Sequence, residues 1–397
     1  MRTRTQQLDT LVVGGGIAGL WILDRLVAHG HACALVEADT LGRGQTLWSQ
    51  GILHGGVKYA LAGTLTASAA GISEMPGRWT ACLAGSPRDE DPDLSGVVVR
   101  SDHCHLWRTD SIASRVGMLG AKLGLAVTPT SVATQDRPVA LREVPGSISR
   151  LDECVVDPVS LVRVFHDRHA ERIARVPIDQ QRWTIESDHV RFDTENGGVN
   201  ASRVVLAAGN GNADIRAQLG LASNAMQVRD LHMVLVRGSL PPLNGHCTDG
   251  SKTRLTITSI DLHGGRRVWQ VGGELAERGV EMDAPSLIAF AQRELRACLP
   301  GVEFTGCEWA TYRAPRAEAR TASGRRHDLP VVLEEGRVLT VWPSKLVLAP
   351  MAADIVADRF PATGSGAHAP AFESLEVPQV GAPPWDEPRE WVSSATT

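Results

Sequence analysis

The sequence predicts an α/β protein of two interleaved domains, one carrying a parallel sheet and the other α+β with a mostly antiparallel sheet. Three observations predict it. The chain has 397 residues, beyond the size at which one hydrophobic core keeps growing. Near the N-terminus a strand, a glycine turn, a helix and a second strand fit within about thirty residues, as a βαβ unit requires. From 226 to 310 the pattern is instead mostly short strands, with one helical stretch.

Each element follows from its residues. Leu11-Val12-Val13 is a β-branched run suited to a buried parallel strand. Ile17, Leu20, Trp21 and Val27 recur at helical spacing, and Gly30 stands where a helix C-cap belongs. Cys33-Ala34-Leu35-Val36 reads as the second strand and ends on Glu37. Residues 41–75, rich in glycine and small polar groups, read as a loop and then a helix packed close to a ligand. Residues 85–93 read as a surface loop, 97–99 as strand, and 111–124 as helix. Val156-Asp157-Pro158 precedes a helix from Val159 to about Ile173. Residues 183–206 read as strand, turn, strand around Asn196-Gly197-Gly198, running into Ala207-Ala208-Gly209. Strands follow at 232–236, 254–260 and 338–341, with helices near 285–298 and 349–357. The tail beyond 360 is rich in Pro, Gly, Ser and Ala and is expected to be weakly ordered in part. The domain division expected is 1–84, 151–225 and 326–360 for the first domain, 85–150 and 226–325 for the second, and 361–397 for the tail.

Composition narrows the function. A net charge of -5 argues against a nucleic-acid binder, which carries a basic stripe. No apolar run approaches the roughly 18 residues of a membrane span, so only peripheral membrane contact stays open. No signal-peptide core follows Arg2 and Arg4, and a cytoplasmic location is the expectation. The seven cysteines are scattered without a CxxC, which favours reduced thiols over a zinc or iron–sulfur site. His103 and His105 would share a strand face, but two ligands without a third predict no metal.

Gly14, Gly16 and Gly19 form GxGxxG at the junction of strand and helix. The first glycine permits a tight turn, the second lets backbone amides reach a pyrophosphate, and the third lets helix and strand pack closely. The helix N-terminus adds positive partial charge there. Glu37, 18 positions after Gly19, is placed to accept hydrogen bonds from a ribose diol, and its charge disfavours a 2′-phosphate. The unit is therefore a Rossmann-type dinucleotide site formed by Gly14, Gly15, Gly16, Ile17, Ala18, Gly19, Glu37 and Ala38.

The βαβ unit alone does not separate FAD from NAD. Three later segments do: Arg43-Gly44-Gln45-Thr46-Leu47-Trp48-Ser49-Gln50-Gly51-Ile52-Leu53-His54-Gly55-Gly56-Val57-Lys58-Tyr59, Val204 to Gly209, and Pro343-Ser344-Lys345-Leu346-Val347-Leu348-Ala349-Pro350. Together they resemble the D-amino-acid-oxidase-like FAD-dependent oxidoreductases, most closely L-2-hydroxyglutarate dehydrogenase and the FAD-linked glycerol-3-phosphate dehydrogenases. The former carry Q-T-x-x-N-S-G-V-I-H-S-G, and the latter H-G-G-V-R-Y. The resemblance implies FAD as cofactor, backbone contacts to it from Gln45, Thr46, Ser49, Gln50 and Gly51, a strand end at Ala208 and Gly209 shared with the family, flavin contacts near Lys345 and Leu346, and adenine contact by Val176. The chain departs from the pattern twice. Ser49-Gln50 replaces asparagine-serine, and Trp342-Pro343-Ser344-Lys345 replaces a glycine-rich segment.

Hydride transfer to a flavin needs positive charge near the ring, a base for the substrate and an anchor for an anionic group. Lys345 is the candidate for the first role, or else a surface lysine. His54 is the candidate base, with a core histidine or a covalent flavin attachment point as alternatives. Arg313 or Arg316 is the candidate anchor, since a guanidinium matches a carboxylate or phosphate bidentately; in an arginine-rich chain neither need touch substrate. The chain holds only four lysines and two tyrosines, and Lys58, Tyr59 and Lys345 fall in these segments while Tyr312 directly precedes Arg313. The leading expectation is an enzyme oxidising a CH–OH group of a small anionic substrate, a 2-hydroxy acid or polyol phosphate. An amine or amino-acid (CH–NH) oxidase and a flavin-binding subunit of a larger electron-transfer complex are the alternatives. Oxygen, a quinone and a carrier protein all remain open as electron acceptor.

Overall fold

The computed structural model describes residues 6–55, 67–88, 90–108, 129–195, 197–249, 252–360 and 375–393. The expected helix at 111–124 and the Gly56 to Tyr59 part of the glycine segment lie outside them.

The N-terminal strand β1 (Gln6–Val13) is central to the first sheet. It pairs in parallel with β2 (Cys33–Glu37) on one side and with the strand Gly197–Leu206 on the other. Ile173–Arg175 and Val338–Trp342 extend the parallel core outward, and Val331–Glu335 closes one edge antiparallel. Helix α1 (Ile17–Ala28) crosses from β1 to β2. Its Leu20, Trp21, Ile22 and Leu23 are fully buried against the helices Pro158–His169 and Ala349–Ala357, each such side chain contributing about 1.5–3 kcal/mol. This packing fixes where the N-terminus of α1 points.

The second sheet has nine strands among the described residues. Its pairings are antiparallel except for Gly245–Asp249 beside Cys104–Arg108. The helix Ala284–Cys298 covers it, started by Asp283, whose carboxylate accepts from the Ser286 amide at 2.9 Å. A separate two-stranded ladder joins Met226–Arg229 to Arg316–Ala319, and it packs on Trp342 of the first sheet.

Three expectations need correction, and part of the tail is held more firmly than its composition implies. The stretch 183–206 holds three strands, because Glu186 to His189 makes a turn that splits the first (N–H to O 2.9 Å). The helix read to about Ile173 stops at His169, and β-branched Ile173 begins a parallel strand instead. The boundary drawn at 85 is displaced, since Leu94 and Val97 pack into the first core. Finally, residues 375–393 of the tail have defined contacts with both sheets. Leu375 packs in the first, Val380 bridges Leu41, Trp385 is buried against the second, and Val392–Ser393 pairs with Glu308–Arg313. Composition concealed this because the large apolar residues are few and far apart. No helix among the described residues is long and apolar enough to cross a membrane.

Candidate active site

The glycine turn follows its local chemistry. Gly14 takes φ +105°, and a Cβ there would meet Ala208 Cα at 2.5 Å and the Ala207 carbonyl at 2.7 Å. The small-residue end of the strand Gly197–Leu206 is thus what lets this turn approach so closely. A Cβ on Gly19 would lie 2.0 Å from the Gly14 oxygen, so helix and strand touch backbone to backbone. The four first-turn amides of a helix have no partner inside it. Here the Ile17 amide donates to Thr46 Oγ1 at 3.0 Å. Those of Gly16, Ala18 and Gly19 have no acceptor among the described residues. A Cβ on Gly16 would meet only Thr46 Oγ1, at 3.3 Å. Orphan amides at the positive end of a 12-residue helix beside an open glycine fit a pyrophosphate.

Glu37 stands at the edge of this turn. Its carboxylate accepts from the amides of Gly15 at 2.6 Å, Ala38 at 2.8 Å and Asp39 at 3.1 Å. Burial raises its pKa above the ordinary value, against these amides. Val176 is buried directly after the strand Ile173–Arg175, its amide donating to the Glu37 carbonyl at 2.8 Å.

Residues 45–55 run along the seam between the sheets. Gln45 accepts from the Ala317 amide at 3.0 Å. Gln50 donates to the carbonyls of Thr256 at 3.0 Å and Gln270 at 2.8 Å. Its side chain is therefore committed to the second sheet, leaving its backbone as the part that could meet a cofactor. Trp48 Nε1 donates to Glu387 of the tail at 3.1 Å. Beside this seam lies a cavity of about 540 Å³. Gln45, Thr46, Ser49, Gln50 and Gly51 form part of its wall, with Ser344, Lys345 and Leu346 from the segment after Val338–Trp342. Gly209 takes φ +56° beside Gln45; Ala208 and Gly209 support the turn without lining this cavity. Ser344 has φ +65°, the sole non-glycine residue with positive φ among those described.

His54, on the same wall, meets a group that sequence reading missed. Its Nδ1 lies 3.5 Å from Glu153 Oε2, and His246 Nε2 lies 3.3 Å from that same oxygen. The Gly55 amide donates to Glu153 Oε1 at 3.0 Å, and His246 Nδ1 lies 3.0 Å from Thr256 Oγ1. Burial opposes ionisation of Glu153. The two histidines outweigh burial and hold the carboxyl well below the usual carboxylate range. The three groups bring ligand atoms within 4.8 Å of one another, so they could also span a cation. Each ligand atom is already engaged within the cluster, which reads as a proton-handling group. No sequence signal joins Glu153 or His246 to His54. Glu153 reaches His54 through the backbone bonds that join Leu53 to Cys154 and Gly51 to Val156, and His246 arrives on the strand Gly245–Asp249 of the second sheet.

The two candidate anchors separate. Arg313 ends the strand Glu308–Arg313 and is exposed, donating to the carbonyls of Val280 at 3.0 Å and Met282 at 3.4 Å. It does not line the cavity, because Ala314-Pro315 breaks the strand and turns the chain. Arg316, on the far side of that break, does line it, together with Arg229 and Arg326. His103 and His105 meet edge to face with ring centres 4.8 Å apart and do not line the cavity.

Comparison with known proteins agrees with this fold. Residues 9–359 match the family described as FAD dependent oxidoreductase. The chain is 40% identical over 392 residues, 96% of each chain, to a probable FAD-dependent oxidoreductase of Pseudomonas aeruginosa. It superimposes on the crystal structure of the FAD dependent oxidoreductase from that organism with a TM-score of 0.81, at 35% identity, covering 96% of this chain and 98% of the other. A glycine oxidase of Bacillus licheniformis is 23% identical over 378 residues, 89% of this chain and 93% of its own. The L-α-glycerophosphate oxidase of Mycoplasma pneumoniae, solved with FAD bound, shares the fold at a TM-score of 0.65 and 11% identity, covering 92% and 99%.

Proposed function

Because the chain belongs to the FAD-dependent oxidoreductase family, with FAD as its cofactor, we propose that it oxidises a CH–OH group of a small anionic substrate, with His54 taking the hydroxyl proton. Bound FAD supplies the two-electron acceptor for the hydride. The orphan amides of Gly16, Ala18 and Gly19 and the Glu37 carboxylate are the groups that would hold its pyrophosphate and ribose, and Lys345 brings a positive charge to the wall where the ring would lie.

The observation that carries the reading is the pairing of His54 with ionised Glu153 on the cavity wall. With Nδ1 turned to the carboxylate, Nε2 is the ring atom through which His54 would accept a proton, and Glu153 offsets the imidazolium that results. Gly55 and His246 keep that carboxylate from rotating away. An alcohol needs such a base, because its hydroxyl does not ionise near neutral pH. An amine loses its ammonium proton to solvent within a few pH units of neutrality, so a built base adds little there. Arg316 is the anchor for the substrate's anionic group.

The likeness to a glycine oxidase supports a second reading, oxidation of CH–NH. Both are tested by anaerobic bleaching of the bound flavin with hydroxy acids, polyol phosphates and amines. Bleaching by amines alone would overturn the CH–OH reading. We expect His54→Ala to slow flavin reduction by about 10²-fold or more while the purified protein keeps its FAD. Equal reduction rates in variant and wild type would remove His54 from the mechanism.

A further inference from the structure

Arg316 begins the strand Arg316–Ala319, and its register partner across the two-stranded ladder is Arg229, the last residue of Met226–Arg229. Like charges directly opposite in an antiparallel pair repel. A third guanidinium, Arg326, reaches the same cavity from the loop that follows. Arg229 is offset by Glu318 at 3.2 Å and Glu277 at 3.4 Å. Arg316 and Arg326 have no ion pair and no side-chain hydrogen bond among the described residues. Arg325 lines the cavity as well, exposed, and Asp328 adds a carboxylate near Arg326, so Arg316 and Arg326 are the two half-buried guanidiniums there without a direct partner among the described residues.

The cost of this arrangement is visible in the groups themselves. Burial, then the charges of Arg326 and Arg229, push Arg316 down to about 10. Burial and Arg229 lower Arg326 in the same way. Both remain protonated at neutral pH. Partly buried positive charges without partners are unfavourable unless something supplies the anion. One carboxylate would satisfy one arginine fork; two free forks call for two negative charges.

We propose that Arg316 and Arg326, beside the carboxylate-paired Arg229, form a subsite for a dianionic group or pair of groups on the substrate, a phosphate monoester or a dicarboxylate. This rests on reading the cavity as the substrate site, and it narrows the substrate to one carrying two charges besides the carbon that is oxidised.

The test is binding to the FAD-loaded full chain at constant ionic strength, by calorimetry and thermal shift, with inorganic phosphate, succinate and acetate as probes. A dianion should bind at least about tenfold tighter than acetate, and R326Q or R316Q should each erase that preference while FAD content stays near wild type and melting of the free protein does not fall. Binding of phosphate alone assigns a phosphate monoester, and binding of succinate alone assigns a dicarboxylate. Equal affinity for acetate and both dianions, or unchanged dianion binding in both variants, overturns the subsite. Because the readout is binding, a chain that prefers dianions yet is bleached by no hydroxy substrate keeps the subsite and loses the CH–OH reading.

Discussion

At the scale of single residues, Glu153 has the largest consequence. It is nearly inaccessible, with 4% of its side chain exposed, and it holds a negative charge there only because His54, His246 and the Gly55 amide surround it. We therefore expect Glu153→Gln to lower kcat for flavin reduction about 10²-fold while KM stays within about threefold. The amide keeps the shape of the carboxylate but cannot offset an imidazolium. A merely structural role would instead lower FAD content and melting temperature together and spare kcat per bound flavin. The pH sense follows from its depressed pKa. A carboxyl held below its ordinary 4.5 contributes stability that is present above pH 4.5 and is lost as pH falls through the folded value. Glu153→Gln should accordingly flatten the decline of melting temperature below pH 4.5, and an unaltered acid decline would contradict the assignment.

At the scale of elements, the segment joining Val338–Trp342 to the helix Ala349–Ala357 carries the next prediction. Ser344 sits at φ +65°, where an L side chain costs about 1–2 kcal/mol, and its hydroxyl donates to the Leu329 carbonyl at 3.3 Å. Ser344→Gly relieves that strain but frees the unfolded chain, so its stability should stay within about 1 kcal/mol of wild type. Ser344→Val, β-branched at the same φ, should lose about 2 kcal/mol or more. Denaturant midpoints measure both, and equal stability of the Val and Gly variants would refute the strain. The same scale explains what could be read from the chain alone. β1, the glycine turn, α1 and β2 were legible because every determinant lies within thirty-odd residues and each glycine has a local steric reason. The His54–Glu153–His246 cluster was not, because Glu153 lies 99 positions from His54 and 93 from His246, and neither the bridge of Ile52 to Val155 nor the strand that brings His246 carries a motif. Arg313 and Arg316 look equivalent in sequence; only the break at Ala314-Pro315 sends one to solvent and the other to the cavity.

At the scale of the whole molecule, the two sheets are held together by the tail as well as by the seam. Beyond Leu375, the Arg175 amide donates to the Glu376 carbonyl at 2.7 Å and the Gly381 amide to the Leu41 carbonyl at 2.9 Å, both on the first-sheet side. Trp385 then packs with Leu231, Met233 and Tyr312 on the second-sheet side. Glu387 receives Trp48 Nε1 from the seam and Arg389 Nη2 at 3.0 Å, while Arg389 Nη1 reaches the Thr311 carbonyl at 3.1 Å. Trp48 lies between Thr46 and Ser49, which line the cavity, so the tail fixes the segment expected to meet the flavin. Deleting residues 375–397 exposes the apolar surface under Trp385 and leaves Trp48 without its acceptor. We expect a loss of at least about 3 kcal/mol and an FAD dissociation constant raised about tenfold or more. Calorimetric melting and FAD titration of the apoprotein measure these separately. A tail that merely lies on the surface would leave both unchanged, whereas one that only stiffens the fold would lower the melting temperature and leave FAD affinity intact.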